Sequence, residues 1–384
     1  MTAVLPAPTD RDVYTEQHHA LRTRVRAFLA EEVVPEYPGW RSAGSPSRRF
    51  WQRAGEIGIL GIGIPEEYGG RSDTGFRDSA VVTEEIQRLG LAIGGLRVQT
   101  DICVPYLLHA ASERQRKHWL PRLAAGETVA ALGISEPGAG SDVKAMQTRA
   151  IRDGDHYVVN GAKTFISNGS IADLLILAAK TDPGRRRDGI SLLLVDTHTP
   201  GFHTGRKLSK LGLEAQDLAE LSFADMRVPA DALLGEEGAG FRYLSTNLAA
   251  ERLSIAVNSQ AAASAAIGWT IERLAGTKPG QDVKFTIAGC AAQVAAGQAL
   301  IDRAMTRLIA GTLSGGEAAA AKLYCTELQG RVVRSCLPLF PPGEAYRASS
   351  LIGQAHLDGR VSRIYGGSSE IMKVIISHDL GLSS

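Results

Sequence analysis

Roughly a third of the way along, the chain reads Ile134-Ser-Glu-Pro-Gly-Ala-Gly-Ser-Asp142. Pro137, Gly138 and Gly140 rule out regular helix or strand, so the stretch is a shaped loop. The two glycines let backbone N–H groups turn toward a ligand with no Cβ in the way. Ser135 and Ser141 add hydroxyls that donate or accept. Such a loop suits the polar edge of a flat heterocycle or a phosphate, and it equally suits a plain turn. The surrounding chain has to decide between them.

N-terminal to the loop, the apolar spacing is helical. Tyr14 to Val34 places Leu21, Val25, Phe28 and Leu29 on one face, and Ser47 to Gly58 does the same with Phe50, Trp51 and Ala54. After a Gly- and Pro-rich loop from Gly61 to Gly70, further helices are predicted over Asp78–Leu89, Thr100–Ala111 and Ser112–Ala125. C-terminal to the loop the period changes. Asp153-Gly154 and Asn160-Gly161 read as two hairpin turns around Tyr157, Val158 and Val159. Leu174–Ala179 and Ile190–Asp196 are continuous apolar runs of buried-strand length, and Leu218–Val228 alternates. Helix returns over Phe241–Arg273, Asp282–Leu313 and Glu317–Cys336, with a last helix from about Ser368. The expected fold class is α+β: an N-terminal helical domain (1–125), a central β domain (126–235) and a C-terminal helical bundle (236–384). The loop at Ile134 sits at the start of the β domain.

Composition removes several function classes. A hydrophobic content of 44% and a charged content of 22% are those of an ordinary globular protein. The net charge of +1 leaves no footprint for nucleic acid or an anionic membrane. Cys103, Cys290, Cys325 and Cys336 are too scattered for a disulfide framework or a zinc site, and no metal site is expected. Met1 to Glu16 has no basic-then-apolar signal, which points to the cytoplasm. Leu253 to Ile271 carries no charge, but Ser254, Asn258, Ser259, Gln260 and Ser264 favour a buried bundle helix over a membrane span.

Just before that uncharged stretch stands Glu251-Arg252. Adjacent helical residues point about 100° apart, so Arg252 does not neutralise Glu251 directly. The same-face neighbours Asn247, Leu248, Ser254 and Ile255 include no cation. A carboxylate held there is desolvated and its pKa raised, which prepares a general base. An interhelical salt bridge or a solvated helix end is the other reading of the same residues.

Five segments, taken in order, resemble the acyl-CoA dehydrogenases, and the likeness runs from Tyr14 to about Leu382. They are Ile134–Asp142, Lys163-Thr-Phe-Ile-Ser-Asn-Gly169, Lys210-Leu-Gly-Leu-Glu-Ala-Gln-Asp217, Leu233-Leu-Gly-Glu-Glu-Gly238 and Ile364-Tyr-Gly-Gly-Ser-Ser-Glu-Ile371. The resemblance implies a C-terminal four-helix bundle, bound FAD, and oxidation of an acyl-CoA thioester to a trans-2-enoyl product with flavin N5 as hydride acceptor. It places Ile134, Ser135, Ser141, Phe165 and Ser167 at the flavin ring, and Ser368 and Glu370 among the further flavin contacts. Ser141, Arg252 and Gly367 fall at the substrate. The Gly366 N–H polarises the thioester carbonyl. Many members carry their glutamate base at the position of Gly366. The long-chain and isovaleryl branches, closest in motifs, place it instead before an Arg-Leu pair, as Glu251-Arg252-Leu253 does here.

The departures cluster in one place. The family's Arg-x-x-Phe-Gly motif keeps only Arg273, and Pro338-Leu-Phe-Pro-Pro-Gly343 replaces a Gln and a Gly-Gly-x-Gly loop. Both segments cradle a neighbouring subunit's flavin in the family. A homotetramer or homodimer with a reshaped loop is expected; a heterotetramer with a related subunit is the alternative. The Arg185-Arg186-Arg187 run reads as a solvated loop rather than a phosphate site. The resemblance also implies an electron-accepting flavoprotein partner. An acyl-carrier-protein substrate and a flavin-poor structural subunit are the competing functions.

Overall fold

The computed structural model describes residues 11–185 and 187–382, the side chain of Arg187 excepted. Seven helices come first: α1 (Glu16–Phe28), α2 (Val34–Ala43), α3 (Arg48–Glu56), α4 (Phe76–Arg88), α5 (Gly95–Arg97), α6 (Val104–Ala110) and α7 (Glu113–Ala124). Ser47 and Ser112 cap α3 and α7, their hydroxyls accepting from the N–H groups of Phe50 and Gln115. The periodic apolar residues of α1, α3 and α4 meet in one core that includes Leu21, Val25, Phe28, Trp51, Val81 and Ile86. The first helix does not stop at Val34 as its sequence suggests. A π-helical turn at Leu29–Val33 opens the hydrogen-bond ladder just before Pro35, and helix continues to Ala43 with Pro38 inside it. A second π turn, Val98–Cys103, precedes Pro105 in the same way.

The β domain contains β1 (Ala130–Gly133), β2 (Arg149–Asp153), β3 (His156–Ser167), β4 (Leu174–Lys180), β5 (Ile190–Asp196), β6 (Phe202–Lys207), β7 (Leu218–Pro229) and β8 (Leu233–Leu234). Spatial order is β6-β7-β3-β2-β4-β5-β8, with β1 parallel to β4. β4 and β5 are buried on both faces, which is why they read as unbroken apolar runs. Asp153-Gly154 does turn between β2 and β3. Asn160-Gly161 does not, because it lies inside β3, where the register against β7 shifts between Val159 and Gly161. Gly161 has φ of +150°, and a Cβ there would stand 2.5 Å from Thr148 Oγ1. The glycine serves a bulge and a close approach, a use that short-range pattern cannot tell from a turn. β6 was not legible in the sequence, since nearly all of it faces solvent.

The third unit comprises α8 (Gly240–Leu274), α9 (Gln281–Ile309), α10 (Gly315–Cys336), the short α11 (Pro342–Ala345) and α12 (Leu351–Asp358), and α13 (Ser369–Asp379). α8, α9, α10 and α13 form the bundle. α8 is buried along most of its length because it packs against α4 as well as α9 and α10. Among the described residues no helix is long and apolar enough to cross a membrane. The stretch after α10, where the resemblance leads one to expect a glycine loop, holds α11 and α12.

Candidate active site

The loop at Ile134 is pinned from beneath by a buried ion pair. Glu136 N–H bonds to the Ala139 carbonyl at 2.9 Å and Ala139 N–H to the Glu136 carbonyl at 3.1 Å, closing a tight turn over Pro137 and Gly138. The Glu136 carboxylate accepts from the backbone N–H groups of Gln147 (2.6 Å) and Thr148 (3.0 Å) and from Lys163 Nζ (2.8 Å). Lys163 also donates to the Ile134 carbonyl at 3.1 Å. Burial pushes the Glu136 carboxyl up, but Lys163 and the other donors more than offset it and hold it below its ordinary value. Burial draws Lys163 down to about 8, so both partners remain charged at neutral pH. Space is open where Cβ atoms at Gly138 and Gly140 would point, and Ser141 is exposed on the rim.

β3 brings its residues to the same loop, with Thr164 N–H bonding the Ser135 carbonyl at 2.9 Å. A second bulge, between Lys163 and Ile166, throws Phe165 outward with φ of +59° and 65% exposure. An aromatic residue held exposed in the left-handed region is strained, and such strain collects where a ligand is clamped. Two residues on, Ser167 Oγ accepts from Gln216 Nε2 at 3.1 Å. Gln216 and Tyr365, the residue before the C-terminal glycine loop, line one small cleft together with Arg97 and Asn258.

α8 delivers Glu251, 7% exposed. It has no cation within 4.0 Å among the described residues. It has one neutral partner that the sequence did not reveal: the Tyr106 hydroxyl on α6 donates to Oε1 at 2.9 Å. The expectation of an unpaired carboxylate is corrected to that extent. Burial pushes the Glu251 carboxyl up to about 7, while the Tyr106 hydrogen bond and the Arg252 charge pull the other way. Arg252 is 8% exposed, and neither an acceptor nor a carboxylate partner meets its guanidinium among the described residues.

The glycine loop closes the site. Gly366 has φ of +63°, and a Cβ there would stand 2.2 Å from Ile255 Cδ1. Ile255 is one turn beyond Glu251 on the same face of α8, so Gly366 and Glu251 share one patch. Gly367 is held from behind, its carbonyl accepting from Lys322 Nζ at 2.6 Å. Lys322, on α10, is wholly buried, and burial together with the Arg252 charge draws its pKa down to about 8. A lone cation in the apolar run Ala318-Ala-Ala-Ala-Lys-Leu323 was the signal for it; nothing local marked Tyr106. Ser368 caps α13, accepting from Ile371 N–H at 3.4 Å, and exposed Glu370 is kept below its ordinary value by the Ser368 hydroxyl.

Arg273 is not brought to this centre. It stands 22 positions beyond Glu251 on α8, about 33 Å along the axis. There it flanks a cleft of about 600 Å³ between the end of α8 and the α11–α12 segment, and it pairs at 3.5 Å with Glu344. In the basic run, Arg185 pairs with Asp182 at 3.4 Å and Arg186 lies outside the described residues.

An FAD fits what the chain presents around the first centre: an open glycine loop, an outward aromatic ring and a buried guanidinium lacking an acceptor. Comparison with known proteins agrees. Three family models cover nearly the whole chain: the acyl-CoA dehydrogenase N-terminal domain over residues 15–127, the middle domain over 131–226 and the C-terminal domain over 238–381. The chain is 37% identical over 385 residues to the mitochondrial long-chain specific acyl-CoA dehydrogenase of Sus scrofa, covering 96% of this chain and 88% of that protein. It is 32% identical to the mitochondrial isovaleryl-CoA dehydrogenase of Pongo abelii, covering 97% and 91%. The crystal structure of acyl-CoA dehydrogenase from Geobacillus kaustophilus superposes with a TM-score of 0.93 at 41% identity, covering 96% of this chain and 98% of the other. The chain belongs to the acyl-CoA dehydrogenase family and is an FAD-dependent oxidoreductase of acyl-CoA thioesters.

Proposed function

We propose that the chain dehydrogenates an acyl-CoA at its α,β bond, with Glu251 taking the α-proton and the Gly366 N–H polarising the thioester carbonyl. The observation that carries this reading is the Glu251 carboxylate itself: buried, without a cationic partner within 4.0 Å among the described residues, and shifted to about 7. A base must be ionised to work and gains driving force as its pKa approaches the working pH. Burial of Glu251 supplies the shift, and Arg252 and Lys322 add positive potential where charge develops on the carbonyl oxygen. Ile134, Ser135, Ser141, Phe165 and Ser167 would hold the flavin ring, with Ser368 and Glu370 bordering it and Gly367 beside the substrate. FAD, when bound, supplies the two-electron acceptor, and an electron-accepting flavoprotein takes the electrons onward.

The test is turnover of an acyl-CoA panel by the holoenzyme with an artificial acceptor, read against pH. Because the base must be ionised, kcat/KM should fall tenfold per pH unit below about 7. A limb at the ordinary carboxylate value would remove Glu251 from the role. Better turnover of the same acyl group on a carrier protein would move the substrate class.

A second reading, a flavin-poor subunit completed by a related partner, turns on Arg273. Glu344 occupies Arg273, the one residue kept from the segments that the family turns toward a neighbour's flavin. Both partners of that pair are substantially exposed, and exposed pairs contribute little, so a phosphate can displace the carboxylate. The expected result for the chain purified alone is therefore one FAD per subunit in a homo-oligomer, a homotetramer or homodimer. Absorbance and light scattering measure both. Substoichiometric FAD that rises on co-expression with a relative would establish a heterotetramer instead.

A further inference from the structure

A line of polar side chains runs from the buried carboxylate to the protein surface. Tyr106 Oη donates to Glu251 Oε1 at 2.9 Å, and the Asn247 side chain is the next polar group beside the phenol. Asn247 Oδ1 lies 2.9 Å from His109 Nδ1. An amide oxygen only accepts, so His109 Nδ1 carries the proton and Asn247 turns its NH₂ toward the Tyr106 oxygen. Tyr106 must then spend its own proton on Glu251. Tyr106 and His109 both donate inward, with the Asn247 amide between them, and aligned donors polarise one another. Tyr106 and Asn247 are buried and His109 is exposed, so the line ends in solvent.

We propose that Tyr106, aligned by Asn247 and His109, is the positioning residue of the base: it aims Oε1 and favours the ionised form. This rests on the reading of Glu251 as the base. The other groups facing Glu251 are few. Arg252 follows it on its own helix, and Cys103 approaches from the π turn before α6. Lys322, on α10, acts on Arg252 rather than on the carboxylate. Among the described residues, Tyr106 is the one hydrogen-bond donor to Glu251. Its removal therefore leaves desolvation opposed only by the Arg252 charge.

The experiment is the pH profile of kcat/KM for the FAD-loaded wild type, Tyr106→Phe, Asn247→Leu and Glu251→Gln, with one acyl-CoA. Tyr106→Phe deletes one hydrogen bond to a charged group. Its acidic limb should move up by about one to two pH units while bound FAD stays at the wild-type level. Asn247→Leu leaves the phenol but removes the donor behind it. Its limb should move the same way by less, and this variant keeps the test alive if Tyr106→Phe folds poorly. A limb that stays in place or moves down in the variants with full FAD overturns the proposal. The two readings fail separately. Turnover surviving in Glu251→Gln defeats the base assignment, whereas an inactive Glu251→Gln beside an unmoved Tyr106→Phe limb defeats only the positioning role.

Discussion

Replacing Glu251 by glutamine lowers kcat by ~10²–10⁴-fold while the protein keeps its FAD. The change preserves volume and the acceptor for the Tyr106 hydroxyl, so the loss isolates the proton acceptor. The same substitution has a second, opposite effect on stability. A carboxyl whose folded-state pKa is raised stabilises the fold below its unfolded value, and that contribution is lost as pH rises through the folded value, here about 7. Above pH 7 the wild type must hold a charged, buried carboxylate, and Glu251→Gln does not. The variant is therefore the more stable protein at pH 8, by something of the order of 3 kcal/mol, and matches the wild type near pH 4. Denaturant unfolding at the two pH values checks this, and equal stability at both would mean that the carboxylate is solvated. Moving the base to Gly366 is not a one-step exchange here. Ile255 fills the space a side chain would need, so Gly366→Glu restores activity to Glu251→Gln only when Ile255 is also shortened to alanine.

Lys163→Met is the change with the largest expected effect on structure. Both side chains of the Lys163–Glu136 pair are nearly inaccessible, and removing one charge strands the other in the interior. Breaking such a pair costs ~3–5 kcal/mol, well above the yield of a surface pair. The loss is local in origin. Without Lys163 the turn over Pro137–Gly138 loses its anchor to the Ile134 carbonyl, so Ser135, Ser141 and the glycines between them are no longer held against β3. The variant should unfold at lower denaturant and bind FAD more weakly. Lys163→Met with Glu136→Gln should recover part of the stability, since no charge is left buried, and the amide still accepts a backbone N–H. A Lys163→Met protein within 1 kcal/mol of wild type would show the pair to be dispensable.

Sequence by itself determined the order of the three structural units. Helical period over α1, α3, α4 and α7, unbroken apolar runs over β4 and β5, and the uncharged core of α8 are local consequences of burial, and burial is what hydrophobic pattern records. It also determined that Glu251 would lack a cation on its own helix face, because helix geometry alone decides which residues share a face. Local pattern misjudged positions whose meaning depends on a distant strand or a widened turn. Asn160-Gly161 became a bulge because Thr148 passes beneath it, and helix ran through Pro35 because a π turn had opened the ladder. The tertiary structure alone decided the surroundings of the base. Tyr106 is 145 positions from Glu251, and Lys322 is 45 from Gly367. No periodicity links residues so far apart; only the packing of α6 on α8, and of α10 behind the glycine loop, brings them together. The same packing desolvates Glu251, so the carboxylate's value as a base is a property of the folded chain.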